Sequence, residues 1–346
     1  MRPVQRIVFS FGIRPVRYLV IPLCFVPLCL QAQTDEVHIQ TRQVQKPAGQ
    51  VTGPVDEADR NLRNSSKPFR SDVNLVLVPV TVRDDLNEPI TTLKKDNFNI
   101  FENEQEQKIE DVWKEDGPVS VGIILDFSKS MTNKLDTERV ALREFFNNAN
   151  PEDDYFVVAV SDRPEVIANS TDSREDLERR LAEVVPSGNT SLLDGIYVGI
   201  RKMSKARYQR RALLIISDGG DNHSYYNAKK IRNMAKEADV LMYSIGIFDN
   251  MPVPVFKTIE EKLGQRLLTT ITELTGGYTL AADDRKKVPE MAAEISRQLR
   301  EQYVLAYRPK QTVRDGKWRK IKVQVTSPDS SGRLHVDHKK GYFSPA

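Results

Sequence analysis

Residues 119–125 form an apolar run that stops abruptly at Asp126-Phe127-Ser128-Lys129-Ser130, and this junction constrains the chain more than any other stretch. A short apolar run without polar alternation predicts a strand buried on both faces of a parallel sheet. Such a strand needs helices over both faces. The sequence supplies them in alternation. Candidate strands at 155–160, 166–168, 212–216, 240–247 and 278–281 are interleaved with candidate helices at 137–146, 173–185, 191–203, 227–238, 267–274 and 288–300. Asp136 stands where it can cap the first helix, and Gly276 follows the helix before the last strand as a C-cap. Residues 249–266 are less regular, with Pro252, Pro254 and a helix-like 256–263, and read as a rim loop. The pattern predicts an α/β fold with a Rossmann-like, doubly wound, mostly parallel sheet, whose ligands bind outside the carboxyl ends of the strands.

Asp126, Ser128 and Ser130 are spaced two residues apart directly after the first such strand. An extended or turning backbone can therefore aim three side-chain oxygens at one point. Hard oxygen donors suit Mg²⁺, Mn²⁺ or Ca²⁺. An Asp and two Ser cannot complete a six-coordinate shell, so later loops must contribute. Thr190 lies after a glycine turn at the start of a helical segment, and Asp218 lies directly after the strand at 212–216. Each piece alone reads equally well as a polar turn or helix cap. It is their order, each at a strand end or helix start, that points to one site.

At these residues the chain resembles the von Willebrand factor type A domain, whose metal-ion-dependent adhesion site is Asp-x-Ser-x-Ser with a distal Thr and a distal Asp. Asp126, Ser128, Ser130, Thr190 and Asp218 match the five positions. The resemblance implies that one coordination position is left for a carboxylate oxygen of a partner protein. A type A domain that carries these residues without binding metal is the alternative.

The flanks of this unit are β-rich. Val73, Leu75, Val76, Leu77, Val78, Val80 and Val82 form a β-rich run that ends in a turn at 84–89. Residues 97–101 alternate Asn with Phe98 and Ile100, as in a strand with one buried face. Further strands are expected at 109–113, 303–309, 318–325, 334–338 and 341–343. Together the flanks read as a small β-sandwich, with the α/β unit inserted in or flanked by it. Over 71–344 the order of these elements resembles the VWFA-related Acidobacterial domain family. The expected organisation is a signal peptide at 1–33, a flexible leader at 34–70, a β part at 71–117, the type A domain at 118–302 and C-terminal strands at 303–346 that pack with 71–117. Each flank offers too few strands to stand alone.

The N-terminus carries Arg2, Arg6, Arg14 and Arg17 without an acid, then an apolar stretch at 18–30 and Gln31-Ala32-Gln33. This is the pattern of a secretory signal peptide, interrupted by Pro22 and Pro27 and too short for a membrane span. A retained anchor is the alternative. Export places the protein outside the cell or in the cell envelope, with no transmembrane span in the mature chain. Both cysteines, Cys24 and Cys29, lie in the stretch to be removed, so the mature chain has no disulfide. Removing the four arginines lowers the formal charge from +3 to −1, so a nucleic-acid partner is not indicated. Among the four histidines only His223 stands near a site loop, and neither a zinc-ligand motif nor a nucleophile elbow accompanies it.

These features together predict a non-enzymatic binding module. A divalent cation, Mg²⁺ or else Mn²⁺ or Ca²⁺, would capture an acidic side chain of a protein partner. An envelope scaffold in which the metal only stabilises the fold is the second expectation. A metallohydrolase using His223 as a base is the third.

Overall fold

The computed structural model describes residues 75–169, 173–247, 259–326 and 332–346. The expected signal peptide and leader, and the first part of the expected rim loop, lie outside the described residues.

A six-stranded sheet forms the centre. It contains β5 (Ser120–Asp126), β6 (Asp154–Val160), β7 (Pro164–Ala168), β8 (Arg211–Ser217), β9 (Leu241–Ile247) and β10 (Thr279–Ala282), in the order β10-β9-β8-β5-β6-β7. All pairs are parallel except β6 with β7, where a short connection brings the edge strand back antiparallel. This mixed α/β architecture with a largely parallel sheet agrees with the alternation in the sequence.

Six helices cover the sheet: α1 (Leu135–Asn147), α2 (Arg174–Glu183), α3 (Leu192–Met203), α4 (Ala228–Glu237), α5 (Ile259–Thr275) and α6 (Val288–Gln298). The period of two along β5 sorts its side chains. Val121, Ile123 and Leu125 join one core with residues of α1, α2 and α6, whereas Ile124 joins a second core with residues of α3, α4 and α5. Both faces are therefore dry, which is why the strand reads as continuously apolar. Since β5 lies between β8 and β6, connections leave it in both directions. Its carboxyl end is the switch point of the sheet.

Two helices differ from expectation. α1 starts at Leu135, with Lys134 at its N-cap and no side-chain cap, so Asp136 lies inside the first turn. A tight 3-10 turn at Lys129–Met131 feeds the chain directly into the helix and replaces the expected Asp cap. Residues 259–275 form one helix where a break near 264–266 was expected. Gly264, which suggests a break in sequence, is held inside the helix by a backbone contact described below.

Two four-stranded sheets flank this unit. One has the order β13-β1-β11-β4, from β1 (Val76–Arg83), β4 (Ile109–Glu115), β11 (Gln302–Tyr307) and β13 (His335–His338). The other has the order β14-β12-β2-β3, from β2 (Phe98–Glu102), β3 (Gln105–Gln107), β12 (Trp318–Val325) and β14 (Gly341–Phe343). Strands from before and after the α/β unit pair directly: β1 lies antiparallel to β11 and β13, and β2 to β12. Val78, Val80, Val82, Phe98, Ile100, Tyr303, Leu305, Tyr307, Ile321 and Val323 fill the space between the sheets.

The outer face of the β1 sheet meets the α/β unit through polar contacts. Gln302 Nε2 donates to Tyr243 Oη at 2.9 Å, Gln298 Nε2 donates to the Asn87 carbonyl at 3.1 Å, and the Arg83 guanidinium stacks 3.7 Å above the Tyr278 ring. Among the described residues no helix is long and apolar enough to cross a membrane.

Candidate metal centre

Asp126 is the last residue of β5 and is fully buried. Its Oδ1 accepts from the Ser128 amide at 3.0 Å, which turns the chain sharply after the strand. Its Oδ2 accepts from Ser217 Oγ at 2.6 Å. Ser128 and Ser130 bring their hydroxyls within 3.0 Å of each other. Ser128 is buried and Ser130 exposed, so the loop runs from the sheet outward to the surface.

Three loops are bound together around this turn. The Phe127 amide donates to the Val160 carbonyl at 2.7 Å, Ser187 donates to the Phe127 carbonyl at 2.9 Å, and Lys129 donates to the Gly188 carbonyl at 3.2 Å. The stretch that carries Thr190 is thus tied to the Asp126 loop along its backbone. Asp162 adds a second tie by accepting from both the amide and the side chain of Asn189, and these bonds hold its carboxyl below the usual range. The third loop follows β8. Asn222 Oδ1 accepts from the Thr190 amide at 2.9 Å, and the Thr190 carbonyl accepts from the amides of Asn222 and His223 at 3.0 Å each.

Asp218 follows β8 and is buried. Its Oδ1 accepts from the Gly220 amide at 3.2 Å. A Cβ at Gly220 would stand 3.3 Å from that Oδ1 and 3.9 Å from Thr190 Oγ1, so both oxygens face the space left by the missing side chain. Behind this loop, Gly219 has φ +83°, and the carbonyl of Gly219 lies so near Gly264 of α5 that a Cβ there would stand 1.4 Å away. Only backbone fits between the Asp218 loop and α5.

Thus all five sequence-predicted residues lie at the carboxyl ends of β5 and β8 or on loops bonded to them. They offer carboxylate and hydroxyl oxygens, a hard donor set that suits Mg²⁺, Mn²⁺ or Ca²⁺ better than a soft metal. Among the described residues no group of three or more His, Cys, Asp or Glu is arranged to hold a metal, so hydroxyl donors are essential to any site here.

The electrostatics are those of a centre short of positive charge. Burial, with the Asp218 carboxylate second, pushes the Asp126 carboxyl up to about 6 against the hydrogen bonds from Ser128 and Ser217. Glu138 on α1 is 1% exposed, and neither carboxyl oxygen meets a donor at full hydrogen-bond geometry, the Asp126 backbone offering a weak one. Burial first and the Asp126 charge second hold it well above the usual glutamate range. The compensating cation is Lys134, whose Nζ lies 3.1 Å from Asp218 Oδ2 with both side chains 6% exposed.

Sequence reasoning missed Lys134, Glu138, Ser217 and Asn222. Ser217 borders Asp218, and Lys134 and Glu138 lie four apart just after the Asp126 loop. In sequence alone they look like a strand end and a solvated helix face. His223 is exposed and enters the rim through its backbone. A groove of about 270 Å³ between α1 and α2, lined by residues such as Arg139, Phe146 and Leu181, contains none of the five.

Residues 121–220 match the family model of the von Willebrand factor type A domain, and the central α/β unit is a domain of this type. An uncharacterized protein of Borreliella burgdorferi is 25% identical over 182 residues, or 47% of this chain; the chain spans about half, 53%, of that relative's length. Among solved structures, a von Willebrand factor type A protein from Catenulispora acidiphila is 11% identical with a TM-score of 0.46, covering 80% of this chain and 74% of that one. Proximal thread matrix protein 1 from the mussel byssus, with a zinc-occupied MIDAS motif, is 17% identical with a TM-score of 0.42, covering 57% of this chain and 50% of that one.

Proposed function

We propose that this von Willebrand factor type A domain is the working part of an exported, non-enzymatic binding module that captures a partner protein through a divalent cation. Asp126, Ser128, Ser130, Thr190 and Asp218 would hold the ion, Mg²⁺ in the first instance. The bound ion supplies Lewis acidity toward an anionic oxygen. The chain's own residues orient the oxygens, exclude water from Asp126 and Asp218, and limit approach to the side of Ser130 and the Thr190 loop.

The observation that carries this reading is the backbone bonding of three sequence-distant loops around an all-oxygen set. Two buried carboxylates balance a dication, which can still attract a carboxylate of the partner. Export rests on the N-terminal sequence and remains part of the proposal.

Pull-down from an envelope extract, with and without chelator, tests it. Chelator-sensitive capture of a protein that is lost in Asp126→Ala supports the module. The Lys134–Asp218 ion pair favours a second reading, an envelope scaffold in which the ion adds only stability. Partner capture unaffected by chelator and by Asp126→Ala would select the scaffold.

A further inference from the structure

In this structure an ammonium already sits on one of the proposed ligands. Lys134 Nζ donates to Asp218 Oδ2 at 3.1 Å inside the protein. A dication held by Asp218 would face that ammonium across a single carboxylate, and like charges at such separations repel strongly where water is scarce. The lysine must therefore have somewhere else to go. One helical turn along α1, four residues on, is Glu138. The i,i+4 spacing places the two side chains on one helix face, with the acid in reach of the lysine.

Glu138 has the properties of a receiver. The Glu138 amide donates to the Lys134 carbonyl at 3.1 Å, so both residues belong to the same turn. Glu138 shares the buried stripe of α1 with Leu135, Ala141, Leu142 and Phe145, all facing the core under β5. Its two oxygens are buried, and the Asp126 backbone acts on them as a donor without reaching full hydrogen-bond geometry, a costly arrangement unless some other state supplies a better partner.

We infer that Lys134 is a built-in counter-ion that holds Asp218 in the structure seen here and passes to Glu138 when a divalent ion takes Asp218. Glu138 is a positioning residue in this scheme and not a ligand. The exchange couples the ion to the start of α1, because the lysine is the N-cap residue of that helix. This inference rests on the metal reading above.

The test is Mn²⁺ affinity measured by electron paramagnetic resonance on wild type, Lys134→Met, Glu138→Gln and the double variant, each checked for folding by circular dichroism. Glu138→Gln should weaken binding by about 10–100-fold, the usual effect of losing a group that supports metal ligands. Lys134→Met should bind more tightly than wild type. In the Lys134→Met background the Glu138→Gln penalty should largely vanish, because no lysine is left to receive. A penalty of equal size in both backgrounds, or none in the wild-type background, overturns the inference.

Lysine side-chain NMR gives a second readout that needs no folded Glu138 variant. The Lys134 ammonium signal, identified by its loss in Lys134→Met, should move on saturation with Mg²⁺; a stationary signal overturns the exchange. Asp126→Ala separates the two levels. If it loses Mn²⁺ while the Glu138→Gln affinity and the Lys134 signal are unmoved, the exchange fails and the metal reading stands. If wild type itself does not bind Mn²⁺, both fall.

Discussion

Replacing Gly264 by alanine sets two magnitudes against each other with opposite signs. In an ordinary helix interior, alanine is favoured over glycine by about 1 kcal/mol, so propensity alone predicts a more stable protein. Here the added Cβ would stand 1.4 Å from the Gly219 carbonyl oxygen. Non-bonded heavy atoms rest near 3.5 Å, so α5 and the Asp218 loop would have to separate by about 2 Å. Overpacking of this kind costs about 1–3 kcal/mol. An approach of 1.4 Å to a backbone atom belongs at the upper end of that range, so the steric penalty outweighs the gain and a net loss of about 2 kcal/mol is expected. Because the moving partner is the loop carrying Asp218, Mn²⁺ affinity should fall as well. Urea denaturation of both proteins, in chelator and in saturating Mn²⁺, measures the two effects. An alanine variant as stable as its parent and with the same Mn²⁺ affinity would refute the claim that α5 positions the Asp218 loop.

Saturating Mg²⁺, Mn²⁺ or Ca²⁺ at about 100 times the dissociation constant should stabilise chelator-stripped protein by about 2.7 kcal/mol. Asp126→Ala should abolish most of that shift and His223→Ala little of it, read by thermal melting; a wild-type midpoint unmoved by millimolar ion would count against the centre. Acid should loosen the flanking sandwich through His338, whose buried Nε2 accepts from the Val323 amide and whose pKa is pushed by burial from 6.5 down to about 4. A base with a lowered folded pKa binds fewer protons folded than unfolded, so its contribution is complete above pH 6.5 and is lost as pH falls toward 4, by about 3 kcal/mol. Denaturation across that range should show the slope in wild type and a flatter one in His338→Gln; equal slopes would reject it. Deleting residues 303–346 should strip hydrogen-exchange protection from 76–83, since β1 is paired on one side by β11 and on the other by β13. Unchanged protection there would show that the N-terminal strands do not need the tail.

The α/β class was legible before any packing was known, because burial on both faces leaves a signature that needs no partner to read. Val121 to Leu125 is apolar at consecutive positions since odd and even side chains enter different cores. The Asp-x-Ser-x-Ser turn was equally legible, its three residues being neighbours in the chain. The roles of Lys134, Glu138 and Gly264 emerge from packing between distant segments. Lys134 and Glu138 look like any solvated helix pair until α1 is laid against β5, which removes water from both and leaves Asp218 as the lysine's partner. Gly264 looks like a helix break until the Gly219 carbonyl is brought against it, a contact between residues far apart in sequence. Local pattern records how much of a side chain is buried. Which charge or backbone atom it meets there is set by long-range packing, and that is where the chemistry of this centre is decided.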